Sequence, residues 1–316
     1  MFRLKLVPTH TAIPFMRWSR PAMALSLLLM LGSIVAAVAP GLNFGIDFRG
    51  GTLIEVRTPG PADLSAMRGA LGGIGLGEVS LQEFGSERDV LVRIERQQGE
   101  PAAQERAVAQ VREALGQAIG PGIEYRRVEF VGPKVSEDLI EAGVIAVALA
   151  ALLMLAYIWF RFEWHFALGA IAALAHDVTV TIGLFAAAQL PFTLSTIAAL
   201  LTIVGYSIND TVVVYDRLRE NLRKYKTMAM PDLVDLSINE TLSRTTMTSF
   251  TTLLALFALF IFGGSVIRDF VFAMIWGVVI GTYSSIFVAT PLLLMLGLGK
   301  RHRPGRAGQD AGAATG

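Results

Sequence analysis

The chain contains no cysteine among its 316 residues. Disulfide frameworks, zinc sites with cysteine ligands and thiol catalysis are therefore excluded. It also lacks the G-x-x-x-x-G-K-[ST] run that would cradle a nucleotide phosphate. Its histidines are scattered without metal-ligand spacing, and its net charge of +1 implies no attraction to nucleic acid. We therefore expect a protein that is not an enzyme, uses no cofactor and binds no nucleic acid.

Long apolar runs dominate the chain, which is 53% hydrophobic and only 17% charged. This balance is too apolar for a soluble protein of such length. A helix that crosses a membrane needs roughly 20 apolar residues. Six spans are therefore predicted, near 21–39, 139–160, 166–188, 193–215, 245–263 and 269–297.

The first apolar run has two interpretations. Its basic leader and its Ala37-Val38-Ala39 end are typical of a cleaved signal peptide. However, the run is longer than the apolar region of most signal peptides, and Pro40 would directly follow the cleaved bond. We interpret it as a retained anchor helix.

Lys and Arg in the short loops predict the orientation, because cytoplasmic loops are enriched in these residues. With both termini inside, the short outer loops near 189–192 and 264–268 carry only Arg268. Residues 1–20 are then cytoplasmic, and residues 298–316 form a basic, disordered cytoplasmic tail.

Residues 40–138 lie outside in this topology and are expected to fold as a soluble α+β domain. Val90, Val92 and Ile94 alternate with polar neighbours, as in a half-buried strand. The predicted elements are strand 52–58, helix 62–71, strand 79–85, strand 89–96, helix 104–117 and strand 123–132. This order is the ferredoxin-like arrangement. The expected fold class is a multi-pass α-helical membrane protein, with one α+β ferredoxin-like extracytoplasmic domain between the first two of six transmembrane helices.

Residues 139–297 are expected to form a bundle of helices 2 to 6, with a cytoplasmic loop at 216–244. The loop begins with a charged helical extension of the fourth span, 216–226. Pro231 then begins an amphipathic pattern that contains Val234, Ile238 and Leu242. We expect a separate helix here, lying along the membrane interface before the chain re-enters.

Two carboxylates fall inside predicted spans, Asp177 in the third and Asp210 near the inner end of the fourth. A charged side chain at the centre of a membrane helix costs about 2.5–3.5 kcal/mol. Both carboxylates are therefore expected to face the bundle interior or a wet cavity. Four polar residues accompany Asp210 on its helix: Thr202, Tyr206, Ser207 and Asn209.

These polar groups either hold neighbouring helices together by hydrogen bonds or relay protons or ions to a titratable acid. We favour the relay for Asp210. For Asp177 both interpretations stay open, because His176 and Asp177 can simply anchor a neighbouring helix. Arg244, at the inner start of the fifth span, either snorkels to the headgroups or serves as a counter-ion that pairs with Asp210 and releases it.

The run FGIDFRGG (44–51) joins the first span to the outer domain. Gly45, Asp47, Gly50 and Gly51 form this junction. Glycine permits backbone angles that other residues avoid, and Asp47 has Arg49 within local reach. A rigid hinge is the expected role.

Several motifs together resemble the SecF members of the SecD/SecF family. They are FGIDFRGG (44–51), VGPKVSEDL (131–139), ALAHDVTVTIGLF (173–185), TLSTIAALLTIVGYSINDTVVVYDRLREN (193–221) and NETLSRTTMTS (239–249). The resemblance runs from about residue 20 to 297. One departure is Arg49, where many relatives are expected to have a smaller residue.

The resemblance implies half of an RND-type transporter, in the bacterial inner membrane, that works with SecD. It implies association with the SecYEG channel, with YajC as a further candidate partner, and contact with lipid and with unfolded polypeptide in transit. The energy source would be the proton-motive force. The position that matches the family's membrane carboxylate is Asp210, and the matching arginine is Arg244. Asp177 matches the aspartate of the family's AHDV block, whose role is less well defined.

Two rival functions remain at this point. One is half of a small-molecule efflux transporter, although the single small outer domain argues against a vestibule built from several subdomains. The other is a structural assembly factor of the translocon, in which the carboxylates only bind helices together.

Overall fold

The computed structural model describes residues 11–77, 79–95, 97, 101–131, 133–161, 163–263 and 267–297. The predicted tail, 298–316, lies outside the described residues. After a 3-10 turn at Phe15–Trp18, the elements in chain order are α1 (Ser19–Val38), β1 (Asn43–Phe44), α2 (Ile46–Arg49), β2 (Gly51–Arg57), α3 (Leu64–Gly72), β3 (Val79–Phe84), β4 (Ser86–Ile94), α4 (Pro101–Ile119), β5 (Glu124–Val131), α5 (Pro133–Arg161), α6 (Trp164–Ala187), β6 (Pro191–Phe192), α7 (Leu194–Lys224), α8 (Met230–Phe262), α9 (Arg268–Ser284) and α10 (Thr290–Met295).

The chain divides into two compact units. One, which we call the sheet domain, comprises Phe44–Ala146 and Pro191–Leu194. The remaining chain, which we call the helical bundle, contains the greater part of the membrane-type helices.

The sheet domain is built on four antiparallel strands in the order β3-β4-β2-β5. Two helices, α3 and α4, connect them in the sequence β-α-β-β-α-β. Apolar side chains from the sheet and both helices form one core, which includes Ile54, Val92, Met67, Val111 and Leu115. Burial of these side chains stabilises the domain without any cross-link.

The start of α3 is set by a capping residue rather than by the apolar pattern. The Asp63 carboxylate accepts hydrogen bonds from the backbone N–H groups of Ser65 and Ala66. Such a cap satisfies donors that have no partner within the helix. The helix therefore begins at Leu64, two residues later than the predicted range of 62–71.

A bidentate ion pair joins neighbouring strands of the sheet domain. Arg57 on β2 faces Asp89 on β4 in the strand register, and its Nε and Nη2 atoms each lie 2.7 Å from a carboxylate oxygen. These hydrogen bonds lower the pKa of Asp89 to about 2. The pair therefore favours a folded sheet in which Asp89 is ionised.

Six helical segments in the described chain are long and apolar enough to cross a membrane: Phe15–Val38, Glu137–Arg161, Trp164–Ala187, Leu194–Lys224, Met230–Phe262 and Arg268–Met295. They correspond to the six predicted spans, and the chain is a multi-pass helical membrane protein. The last segment is continuous through a π-helical turn at Ser285–Ala289, between α9 and α10.

The predicted interfacial helix differs from the structure. The amphipathic residues that follow Pro231 continue without interruption into the fifth span, so α8 is one helix of 33 residues. The reason is local, because no glycine or proline occurs between Asp232 and Phe262 to end the helix. The extension of the fourth span is helical as predicted and ends at Lys224.

Candidate functional site

Asp210 lies within α7 with only 2% of its surface exposed. Its Oδ2 atom is buried and has no hydrogen-bond partner among the residues that the structure describes. Buried carboxylates are normally paired or hydrogen-bonded, because desolvation of the charge is costly. A carboxylate with one unsatisfied buried oxygen inside a membrane-type helix therefore marks Asp210 as the leading candidate for a functional group in the bundle.

Arg244 on α8 is exposed. The described residues include no ion pair within 4.0 Å between Arg244 and Asp210, although their charges interact at longer range. The backbone carbonyl of Arg244 accepts a hydrogen bond from Thr248, at 2.9 Å. The structure thus places the two candidate residues in the same electrostatic neighbourhood without a direct contact, an arrangement in which pairing requires a movement of the side chain or of α8.

Asp177 on α6 is fully buried and joins three helices. Its Oδ2 atom accepts hydrogen bonds from the hydroxyls of Ser207 on α7, at 2.6 Å, and Ser284 on α9, at 2.8 Å. Its Oδ1 atom lies 2.9 Å from Nδ1 of His176. Every carboxylate oxygen therefore has a partner, in contrast to Asp210. The geometry of Asp177 is that of an anchor between helices.

The polar groups predicted as a relay do not form one hydrogen-bonded chain along the described part of α7. Thr202 is exposed and donates to the carbonyl of Ala198 on its own helix, at 2.7 Å. Asn209 is also exposed. The Tyr206 hydroxyl is buried and finds no hydrogen-bond partner within the described ranges, and Ser207 donates to Asp177. Helical spacing places Tyr206, Ser207 and Asp210 near one face of α7. The packing of α7 against α6, however, brings the Ser207 hydroxyl to Asp177 and not to Asp210.

Three groups in this region were missed from the sequence. Ser284 binds Asp177, and the hydroxyls of Thr211 and Ser285 lie 2.8 Å apart. The available signal was a pair of serines inside an apolar run, preceded by Gly277 and Gly281 at helical spacing. Small residues of this type allow membrane helices to approach closely.

The two glycines explain why α7 and α9 can approach. A Cβ atom on Gly277 would overlap the side chain of Ile203, and one on Gly281 would lie 3.0 Å from Cβ of Ser207. Larger residues would therefore separate the helices and disturb the hydrogen bond from Ser207 to Asp177.

The junction residues lie inside the sheet domain. Gly45 donates a backbone hydrogen bond to the carbonyl of Phe192, at 2.8 Å, and a Cβ atom there would lie 2.8 Å from Cγ2 of Thr193. Gly50 and Gly51 have φ angles of 68° and 109°, which other residues rarely adopt. The junction therefore requires glycine for close approach at one position and for backbone angles at two others.

Asp47 has a partner that the sequence did not indicate. Its Oδ2 atom accepts a hydrogen bond from the backbone N–H of Leu194, the first residue of α7, at 2.9 Å. An acidic side chain at this place satisfies an otherwise unpaired donor and interacts favourably with the helix dipole. The side chain of Arg49, the predicted local partner, lies outside the described residues.

Metal binding receives no support from the geometry. In the described ranges, no group of three or more His, Cys, Asp or Glu side chains could hold a metal ion.

Two family models match the chain. The model described as protein export membrane protein SecD/SecF, C-terminal, matches residues 111–299, and the model of the SecD/SecF GG motif matches residues 35–58. The second match contains the whole glycine junction.

Curated relatives agree over nearly the full length. The chain is 53% identical over 304 residues to the protein translocase subunit SecF of Cereibacter sphaeroides, covering 94% of this chain and 93% of that protein. It is 49% identical over 309 residues to the protein translocase subunit SecF of Rhodobacter capsulatus, covering 94% and 92%.

A solved structure has the same fold. The crystal structure of SecDF, a translocon-associated membrane protein from Thermus thermophilus, is similar with a TM-score of 0.83 and 37% sequence identity. The match covers 92% of this chain and 39% of the SecDF chain, so this chain corresponds to less than half of that protein. The chain belongs to the SecD/SecF family of protein export membrane proteins, as one of its SecF members.

Proposed function

We propose that this chain, an auxiliary subunit of the Sec protein translocase and a multi-pass inner-membrane protein, uses the proton-motive force through Asp210. The observation that carries the proposal is the buried Oδ2 atom of Asp210, which has no hydrogen-bond partner in the described part of the chain. Protonation would remove the unfavourable buried charge, and release of the proton would restore it. Such a group changes the packing free energy of its helix each time it titrates.

The energy available is large enough for this task. Moving one elementary charge through 100 mV is worth about 2.3 kcal/mol, comparable to the cost of about 2.5–3.5 kcal/mol for one charge at the centre of a membrane helix. Arg244 is the nearby cation whose charge acts on Asp210. We infer that α8 approaches α7 when Asp210 is ionised and moves away when it is neutral.

SecD is the partner of the chain. The surface of the helical bundle is consistent with SecD packing against it as the other half of a transporter. Thr202 and Asn209 on α7 and Arg244 on α8 are exposed polar residues within helices that are long and apolar enough to cross a membrane. Polar side chains within membrane helices normally face protein or water rather than lipid. We propose that the partner half covers this surface and completes the proton path.

The finer features of the architecture are also part of the proposal. The strand order and the β-α-β-β-α-β sequence support a ferredoxin-like domain, which we place outside the cytoplasm. The distribution of Lys and Arg in the short loops supports cytoplasmic termini. Contacts with SecYEG, YajC and unfolded polypeptide complete this proposal. We expect no cofactor, a proton gradient as the energy source, and no catalytic chemistry.

Replacement of Asp210 by Asn tests the proposal. The amide keeps the shape of the side chain and cannot ionise, so we expect the complex with SecD to form in normal amounts while gradient-dependent export of a reporter is lost. Asp216→Asn is the matched control, because Asp216 lies on the same helix and pairs with Arg161 at an exposed site. Normal export by the Asp210 variant would exclude proton coupling at this residue, and reduced amounts of complex would instead favour a structural assembly role.

A further inference from the structure

Residues 11–18, immediately before α1, lie across the first turns of α8. We call this segment the N-terminal strap. The Ile13 N–H donates to Oδ1 of Asn239 at 2.9 Å, and Nδ2 of Asn239 donates to the carbonyl of Ile13 at 2.9 Å. The Asn239 amide therefore binds both polar groups of one backbone residue, as a neighbouring β-strand would.

A second side chain of α8, Asp235, lies four residues before Asn239 and also binds the strap. Oδ1 of Asp235 accepts a hydrogen bond from the backbone N–H of Met16, at 2.8 Å. The Asn239 amide also donates to the carbonyl of Asp235, at 2.8 Å, which fixes the orientation of Asn239. Positions separated by four residues share one face of a helix, so both contacts lie on the same side of α8.

Apolar contacts reinforce these hydrogen bonds. Phe15 and Met16 of the strap are only 9% and 8% exposed and belong to the same core as Leu233 and Ile238 of α8. The Phe15 ring lies 6.0 Å from that of Phe287. The strap is therefore packed into the bundle, rather than held by a single surface contact.

The strap connects two helices with different roles in the proposed mechanism. Arg244 follows Asn239 by five residues on the unbroken helix α8, which corresponds to about 7.5 Å along the helix axis. At its other end the strap continues directly into α1, where the Ser19 hydroxyl donates to the carbonyl of Met16 at 2.7 Å. In the chain, α1 leads to the glycine junction of the sheet domain.

We propose that Asp235 and Asn239 are positioning residues for coupling: they fasten the strap to α8, so that a displacement of α8 near Arg244 moves α1 with it. The inference rests on the proposed function, since it assumes that α8 moves when Asp210 titrates. Neither residue touches Asp210, and neither needs to titrate for this role. The hydrogen bonds have to hold and the strap has to remain seated.

A pair of cysteines tests whether attachment of the strap to α8 is required, because the same protein can be compared before and after the two thiols are linked. Because the chain has no cysteine, Ile13→Cys with Asn239→Cys introduces the only two thiols. Loss of the Asn239 amide should reduce gradient-driven export about tenfold, and a short bis-maleimide that joins the two thiols should restore it to within about twofold of wild type. Failure of the linked protein to recover would overturn the proposal, whatever the effect on stability, because linked and unlinked samples contain the same chain.

Alanine and conservative variants give a second measurement. Asp235→Ala should lower gradient-driven export severalfold, whereas Asp235→Asn should keep it, because an amide oxygen still accepts from Met16. Asp232→Ala, at an exposed position of the first turn of α8, is the control. Equal export by the Ala and Asn variants would contradict the proposal. Asp210→Asn in the same assay separates the two ideas: if that variant exports normally the proton mechanism fails, and if only the strap variants export normally the strap alone fails.

Discussion

Asp177 offers the sharpest test of whether a buried membrane carboxylate is an anchor or a proton carrier. Its two oxygens have three partners, the hydroxyls of Ser207 and Ser284 and the ring of His176. Replacement by Ala removes all three hydrogen bonds and leaves a small cavity. At about 0.6–1.5 kcal/mol for each bond, the loss of stability should be about 2–4.5 kcal/mol.

Replacement of Asp177 by Asn should behave differently. Its amide oxygen can accept from both serines, and its amide nitrogen can donate to Nδ1 of His176 in the opposite tautomer. The three bonds are then retained without an ionisable group. We expect the Asn variant to remain within about 1 kcal/mol of wild type and to export protein normally.

The assay combines thermal unfolding of the purified complex in detergent with gradient-driven export of a reporter. The anchor interpretation requires a large drop in unfolding temperature for Asp177→Ala and little change in either measurement for Asp177→Asn. An Asn variant that is stable but fails to export would refute the reasoning, because only ionisation of Asp177 would then distinguish it from wild type.

Three further predictions concern other parts of the chain. Asp89→Ala should destabilise the sheet domain by about 1–2 kcal/mol at neutral pH, after allowance for solvent at half-exposed Arg57. Because the pKa of Asp89 is lowered to about 2, this contribution is present above about pH 4 and lost as the pH falls to about 2, which urea unfolding at several pH values will measure; a pH-independent difference between the variant and wild type would contradict it. Gly45→Ala should cost about 1–3 kcal/mol through the approach to Thr193, seen as a lower unfolding temperature, while Gly60→Ala, where a Cβ atom would have nothing within 4 Å, serves as its control. Asp47→Ala should cost about 1 kcal/mol, because the N–H of Leu194 loses its acceptor, whereas Asp47→Asn should retain most of it in the same measurement.

The elements of the sheet domain could be predicted closely, because each strand and helix buries one face. Val90, Val92 and Ile94 are fully buried, as their alternation indicated. The six apolar spans were equally clear from length and composition. In both cases the signal is local, since it depends on residues within one segment.

The arrangement of the bundle could not be predicted in the same way. Helices that are apolar all round give no direction for their buried face, and Asp177 meets Ser284 across 107 positions of sequence. The burial of Asp210 followed from its apolar neighbours, but the separation of Ser207 from that carboxylate depends on how α7 packs against α6 and α9. The join between the amphipathic segment and the fifth span was missed because a charged, amphipathic start and an apolar continuation can share one helix.

The π-helical turn at Ser285–Ala289 has a consequence for insertions and deletions. Such a turn arises when one additional residue is accommodated within an α-helix, and here it allows Ser285 to reach Thr211 while the carbonyl of Ala289 accepts from the Tyr215 hydroxyl. Removal of a single residue from this turn would return the segment to an ordinary helix and take away the bulge that presents Ser285 and the Ala289 carbonyl to α7. The final span should therefore tolerate the exchange of one apolar side chain for another far better than the insertion or deletion of one residue.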